Sequence, residues 1–193
     1  MSEARLAARE RRGFTLIELL MVVAMMAIMA AVALPRISLT RYRADSAGRL
    51  ARTMLQNAQR NAITRQSNVI VSFDYPTNRL RIVQDYNNND TLNTGDKVDY
   101  RHLEEGAHFA KPYWVGINGT TPSAAVTFSQ ASTVGGLPSL IFRRDGSASA
   151  TLEMYVTMRD SVPTEYRGIV VTSSTGKSDM YKWNGSIWLR MTQ

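Results

Sequence analysis

The chain has 193 residues, no cysteine, 44% hydrophobic residues and a formal net charge of +7. The lack of cysteine excludes a disulfide framework, thiolate catalysis and a cysteine-based zinc site, and two histidines, His102 and His108, are little material for a histidine-rich metal centre or a conventional triad. The positive charge sits in the N-terminal third: four arginines against two glutamates in residues 1–13, seven arginines against Asp45 in residues 36–66, and twelve basic against twelve acidic side chains in residues 67–193, which disfavours a C-terminal head that binds phosphate broadly.

Residues 14–34, FTLIELLMVVAMMAIMAAVAL, form an apolar run of 21 residues with one ionisable side chain, Glu18. As a helix the run would reach ~31 Å, enough for the hydrocarbon core of a bilayer. Arg5, Arg9, Arg11 and Arg12 flank its start. The positive-inside rule then keeps residues 1–13 in the cytoplasm and puts the rest of the chain outside, a single-pass topology. A secretory signal peptide is the competing reading, because Ala31-Val32-Ala33 before Leu34 has the small-residue pattern of a cleavage site. The length of the run and the carboxylate inside it argue against that. Thr15-Leu16-Ile17-Glu18 also has the spacing of a capping box, and a carboxylate near a helix N-terminus is favoured by the helix dipole. A capping carboxylate is usually solvated, however, whereas one that leads a membrane span needs a partner.

Residues 11–20, Arg-Arg-Gly-Phe-Thr-Leu-Ile-Glu-Leu-Leu, resemble the prepilin signature shared by type IV pilins and type II secretion pseudopilins. The resemblance implies that a prepilin peptidase cuts between Gly13 and Phe14 and N-methylates Phe14. It makes Glu18 the fifth residue of the mature chain, facing the N-terminal amine of a neighbouring pilin or pseudopilin subunit. It further implies a subunit held in the inner membrane with a periplasmic head, which then joins a periplasmic pseudopilus or an extracellular pilus.

Pro35 ends the apolar run and predicts a kink, and pilins commonly have a proline at this point. Ala47, Leu50, Ala51, Met54, Leu55, Ala58 and Ala62 then recur at helical spacing, which predicts an amphipathic helix to about Arg65. Gly48 inside it costs ~1 kcal/mol relative to alanine. The expected organisation is a leader over 1–13, a transmembrane helix over 14–35, a stalk helix over 36–66 and a β-rich head over 67–193.

From Asn68 the period changes. Strands are predicted at 69–73, 80–83, 125–129, 140–143, 148–156, 168–172, 180–183 and 187–191, with hairpin signals at Asp145-Gly146 and Asn184-Gly185. The expected fold class is α+β: a long N-terminal helix, half transmembrane and half amphipathic, packed on a mainly antiparallel sheet, the type IV pilin fold. The order of segments, namely residues 58–65 (Ala-Gln-Arg-Asn-Ala-Ile-Thr-Arg), 69–74, 140–142 with Gly146, and 167–172 with Gly176-Lys177, resembles the H-type minor pseudopilins of type II secretion and the FimT-like minor pilins.

Smaller signals remain. Asp85, Asn87, Asn89, Thr91, Asn93 and Asp96 follow the count of a calcium loop, but Asp90 stands where glycine is required and Asp96 where glutamate is usual. Gly176-Lys177-Ser178 matches the end of a P-loop, yet Val171 occupies the position of its first glycine and a strand follows, so nucleotide binding is rejected. Asn118-Gly119-Thr120 and Asn184-Gly185-Ser186 read as turns that happen to match glycosylation sequons. Trp114, Trp183 and Trp188 are a stacking surface for nucleic acid in one reading and core in the simpler one. Arg143, Arg144, Lys177, Lys182 and Arg190 are the candidate contacts for DNA in the alternative function, a FimT-like pilin serving transformation. No nucleophile elbow, metal-ligand cluster or carboxylate pair with a nearby histidine points to catalysis, and no cofactor is implied.

Overall fold

The computed structural model describes residues 14–33 and 39–192, so Gly13 and Pro35 lie outside the described residues. The chain divides into two compact units, Met1–Ser38 and Leu39–Gln193. Where the sequence predicts one long helix, the described residues form two. In the first unit, α1 spans Leu16–Ala33. Leucine, methionine and alanine are strong helix formers, and neither glycine nor proline interrupts them. Among the described residues no helix is long and apolar enough to cross a membrane. The 18 residues of α1 reach about 27 Å, just short of a ~30 Å hydrocarbon core.

The second unit opens with α2, Leu39–Arg65, whose buried residues are Ala44, Ala47, Gly48, Ala51, Met54, Leu55, Ala58 and Ala62. This is the predicted amphipathic face with Ala44 and Gly48 added, except that Leu50, expected on it, is exposed. The helix ends where Gln66 turns left-handed at φ 53, and the Gln66 side chain donates to the Ile63 carbonyl at 2.7 Å. An unpaired C-terminal carbonyl is thereby satisfied.

Two antiparallel sheets follow. In the first, the strand order is β3-β2-β1-β7-β6, from β1 (Asn68–Asp74), β2 (Arg79–Asp85), β3 (Lys97–His102), β6 (Thr133–Val134) and β7 (Leu137–Phe142). The second has the order β11-β10-β9-β8-β4, from β4 (His108–Phe109), β8 (Leu152–Thr157), β9 (Arg167–Val171), β10 (Ser178–Trp183) and β11 (Trp188–Arg190). There β5 (Val126–Phe128) also pairs with β8. Strand alternation sends Val69, Val71, Phe73, Leu80, Leu140 and Phe142 of the first sheet inward. Leu152, Met154, Val156, Ile169 and Val171 of the second meet them in one core with α2.

Every predicted strand is present, while β3, β4 and β6 are additions. β3 carries no core-facing alternation, because all its residues are exposed or half-exposed at a sheet edge. β6 and β7 are joined by Gly135-Gly136, whose φ values of 54 and 78 fit a tight hairpin turn.

Gly48 turns out to be a point of close approach rather than a soft spot. A Cβ there would stand 2.6 Å from Met180 Cε and 3.0 Å from Arg167 Cβ. Polar ties hold the helix at this distance. Arg167, buried, donates to Asp45 at 2.6 Å, and Arg52 donates to the Ser178 carbonyl at 3.0 Å. Gln59 Nε2 donates to the carbonyls of Gly146 at 2.8 Å and Thr175 at 2.7 Å, fastening two turns to one helix position.

Gly176, at φ 61, has no room for a side chain, since an added Cβ would collide with the Gly146 carbonyl oxygen. Gly176→Ala should therefore destabilise the full chain by about 2–3 kcal/mol, from left-handed strain and the backbone collision. Gln59→Leu, which leaves two carbonyls without their donor, should cost about 1–2 kcal/mol. Urea unfolding of the full chain in detergent micelles, followed by tryptophan fluorescence, measures both.

Candidate functional site

At the N-terminal end of the described chain, Phe14 and Thr15 precede α1. The Glu18 N–H donates to Thr15 Oγ1 at 3.3 Å and to the Thr15 carbonyl at 3.1 Å. This is one half of a capping box. The reciprocal half, the Glu18 carboxylate on the Thr15 N–H, is not formed among the described residues. Glu18 therefore keeps its acceptor capacity for another group. Around it the helix is apolar and exposed: Phe14 is 83% exposed and Leu16 85%. A helix that is hydrophobic on all sides cannot rest in water, and belongs in lipid or among other helices.

In the head, the residues counted as a calcium loop form a hydrogen-bonded connection between β2 and β3. The fully buried Asp85 carboxylate accepts the N–H groups of Asn89 at 3.3 Å and Asp90 at 2.8 Å. Asp96 accepts from Tyr86 at 3.3 Å and Asn93 at 2.8 Å. Asn87 accepts the Asn89 N–H at 3.3 Å, while Asn89 accepts from the Thr91 hydroxyl at 2.7 Å. Asp85, Asn87, Asn89, Thr91 and Asp96 thus have side-chain oxygens engaged within the loop, while Asn93 joins it through its amide nitrogen, which donates to Asn89 at 3.0 Å. Among the described residues no group of three or more His, Asp or Glu side chains is placed to hold a metal ion. His102 lies on the exposed edge strand β3, and His108 Nε2 sits 2.7 Å from Asp160 at the surface.

The basic residues proposed to meet DNA do not form one surface. Arg143 and Arg144 lie on the turn after β7 and Lys177 on the turn after β9, the two turns that Gln59 joins. Lys182 lies five residues beyond Lys177 along the strand direction, roughly 16 Å away. Arg190 pairs opposite Tyr181 and so points to the other face of the sheet from Lys182, where it is tied to Asp179 at 2.6 Å. Arg143 is also partly neutralised by Asp90 at 3.5 Å. The set read together in the sequence is divided among three places because strand alternation and pairing separate it.

The tryptophans pack on one another. Trp114 and Trp183 have ring centroids 5.5 Å apart, Trp183 and Trp188 5.4 Å, and Tyr155 and Trp188 5.3 Å. They close the outer face of the second sheet with Tyr166, whose hydroxyl burial pushes up to about 12. Both sequons serve as turns: Asn118 accepts the Thr120 N–H at 2.9 Å and Asn184 the Ser186 N–H at 2.9 Å.

Sequence reasoning missed Glu153. It lies in β8 between Leu152 and Met154, is only 6% exposed, and accepts the Ile117 N–H on Oε1 at 2.8 Å. Burial raises its pKa, against the opposing pull of the Ile117 and Asn118 amides. The available signal was a lone carboxylate within the apolar strand Leu-Glu-Met-Tyr-Val.

Residues 8–34 match the family model described as the prokaryotic N-terminal methylation motif. Among curated proteins none matches the chain. Two solved structures of the minor pseudopilin EpsH, from the type II secretion system of Vibrio cholerae, are similar to it. One is 14% identical with a TM-score of 0.48, covering 72% of this chain and 97% of that one. The other is 15% identical with a TM-score of 0.44, covering 72% and 94%.

Because the folded state raises the Glu153 pKa above its ordinary value of 4.5, the native chain holds more proton there than the unfolded chain. That contribution to stability is complete below the ordinary value and is lost as pH rises through the folded one. Glu153→Gln keeps an acceptor for Ile117 and removes the titration. The variant should therefore be the less pH-sensitive of the two above the ordinary carboxylate range, and at neutral pH at least as stable as the parent. Thermal unfolding across a pH series checks the difference.

Proposed function

We propose that the chain is a type IV pilin-like minor pseudopilin, a structural assembly subunit rather than an enzyme. In this reading it is made as a membrane precursor, cut between Gly13 and Phe14 by prepilin peptidase and N-methylated at Phe14. The run Phe14–Leu34 then serves first as the membrane anchor and afterwards as the part of the subunit buried in a filament. Residues 36–66 form the stalk, with Pro35 at its junction, and residues 67–193 form a head on the periplasmic side.

The observation that carries the proposal is the methylation motif over residues 8–34, with Glu18 five positions into the mature chain. The chemistry of Glu18 supports it. A charge at the centre of a membrane helix costs about 2.5–3.5 kcal/mol, and a carboxylate in the first turn of an apolar helix, as Glu18 is, bears a smaller cost of the same kind. The α-amine of a neighbouring Phe14 would offset that cost, and Glu18 has acceptor capacity to spare. The exposed apolar circumference of α1 offers what lipid and neighbouring helices would cover. The same chemistry serves a type IV pilus, and the H-type pattern of the head favours the secretion pseudopilus.

Two measurements test this. The intact mass of the protein from its native membrane should correspond to a chain beginning at Phe14 and carrying one extra methyl group; a chain beginning at Leu34 would mean signal-peptide cleavage and overturn the reading. Glu18→Gln should leave cleavage intact while lowering the amount recovered in sheared filaments by about tenfold or more, the scale of losing one desolvated charge pairing.

A further inference from the structure

The outer face of the second sheet carries a feature that no filament role absorbs. Thr127, Glu153, Val170 and Asp179 form one row across β5, β8, β9 and β10, on the face opposite α2. At one end the tryptophan cluster covers this face. Beside it a cavity of about 300 Å³ opens to solvent, lined by Glu153 together with Ile117, Thr127, Thr151, Val170 and Tyr181.

A buried carboxylate, Glu153, sets this cavity apart. Of the other two buried carboxylates, one has a cation and one, like Glu153, has backbone amides alone. Glu165 pairs with Arg159, and Asp85 accepts two amides of its own loop. Asp179, in the same row, is matched by Arg190. Glu153 is met by backbone amides of Ile117 and Asn118, and among the described residues no cation lies against it. Burial without a counter-charge is costly, and a group in that position is usually either neutral or completed by a ligand. The volume lies at the lower end for ligand sites, which suits one long side chain rather than a nucleotide or a large cofactor. Apolar walls from Ile117 and Val170 beside a carboxylate match the alkyl stem and charged head of lysine or arginine.

We infer that this cavity is a docking pocket for a lysine or arginine side chain of a protein partner, with the Glu153 carboxylate receiving the cationic head. The pocket selects by charge and length: an anion is repelled, and an apolar side chain would leave the carboxylate buried with its two amides but no counter-charge. This inference stands whether or not the filament reading does, since it uses only the head.

The test uses the full chain in detergent micelles with its glutamate carboxyl carbons labelled, titrated separately with N-acetyl-lysine methylamide, N-acetyl-arginine methylamide, N-acetyl-norleucine methylamide and putrescine. The lysine or arginine compound should move the Glu153 carboxyl resonance saturably, and the norleucine compound should not. Glu153→Gln should weaken binding by about tenfold or more, read from the Ile117 amide. Val170→Phe, which fills the cavity and leaves the carboxylate in place, should do the same. An unmoved resonance, an equal response to norleucine, or binding untouched by both variants would overturn the proposal. Putrescine binding about tenfold more tightly than the capped amino acids would also overturn it, by identifying a free diamine as the ligand.

Discussion

The head depends on how closely one helix approaches two sheets at once. Ala44, Ala47, Gly48, Ala51, Ala58 and Ala62 give α2 a stripe of minimal side chains. Each buries little area, about one methyl's worth of hydrophobic stabilisation, against roughly 1.5–3 kcal/mol for a leucine or phenylalanine. The stripe therefore does not supply most of the binding. It sets the distance at which Phe73, Leu140, Leu152 and Ile169 of the sheets, with Met54 and Leu55 of the helix, fill the core between them. At that distance polar groups come within reach as well, and Asp45, Arg52 and Gln59 tie the helix to the second sheet and its turns. A larger residue at Gly48 would push Met180 and Arg167 aside and loosen these ties together.

With both inner faces committed to α2, the outer faces are free to differ. On the first sheet, Ile70, Val83, Ile141 and Val134 make a small second core. Arg81 is buried there, donating to Ser72 at 3.0 Å and to the Val134 carbonyl. On the second sheet the covering is aromatic and partial. α1 obeys a different rule. It has no polar face to separate from an apolar one, so its stability must come from surroundings that are themselves apolar.

The strands were legible where nearly every residue is buried, and α2 where one face is buried and the other is not. β1, β7, β8 and β9 carry dense β-branched and aromatic residues, and α2 carries its alanines at helical spacing. β3, Lys-Val-Asp-Tyr-Arg-His, was not legible, because an exposed edge strand needs no apolar alternation. Its place comes from pairing with β2, with Val83 opposite Val98, which is a tertiary fact. The motif at 11–20 was legible because it is a run of contiguous residues that needs no fold to bring it together. The basic set of Arg143, Arg144, Lys177, Lys182 and Arg190 shows the reverse. Nearness in sequence or in one sheet says nothing about which face a side chain takes, and Lys182 and Arg190 fall on opposite faces although their strands are paired. Glu153 escaped notice because a strand pattern tolerates one polar residue facing outward, and only the fold shows that this outward side is closed over.

What recognises a partner on such a head is decided by where the cost of desolvation falls. The arginines and lysines of its turns are exposed, so on binding they must shed water and gain little, which suits steering an encounter more than holding it. Glu153 has already lost most of its water in the free protein, and folding has met that cost. A cation that enters its cavity restores an electrostatic balance the fold leaves open, and only the cation's own dehydration opposes it. One preformed acceptor of this kind distinguishes partners more sharply than several exposed charges, because a misfit leaves a buried carboxylate without a counter-charge. A net-neutral domain can in this way be selective for a single positive side chain without attracting polyanions at large.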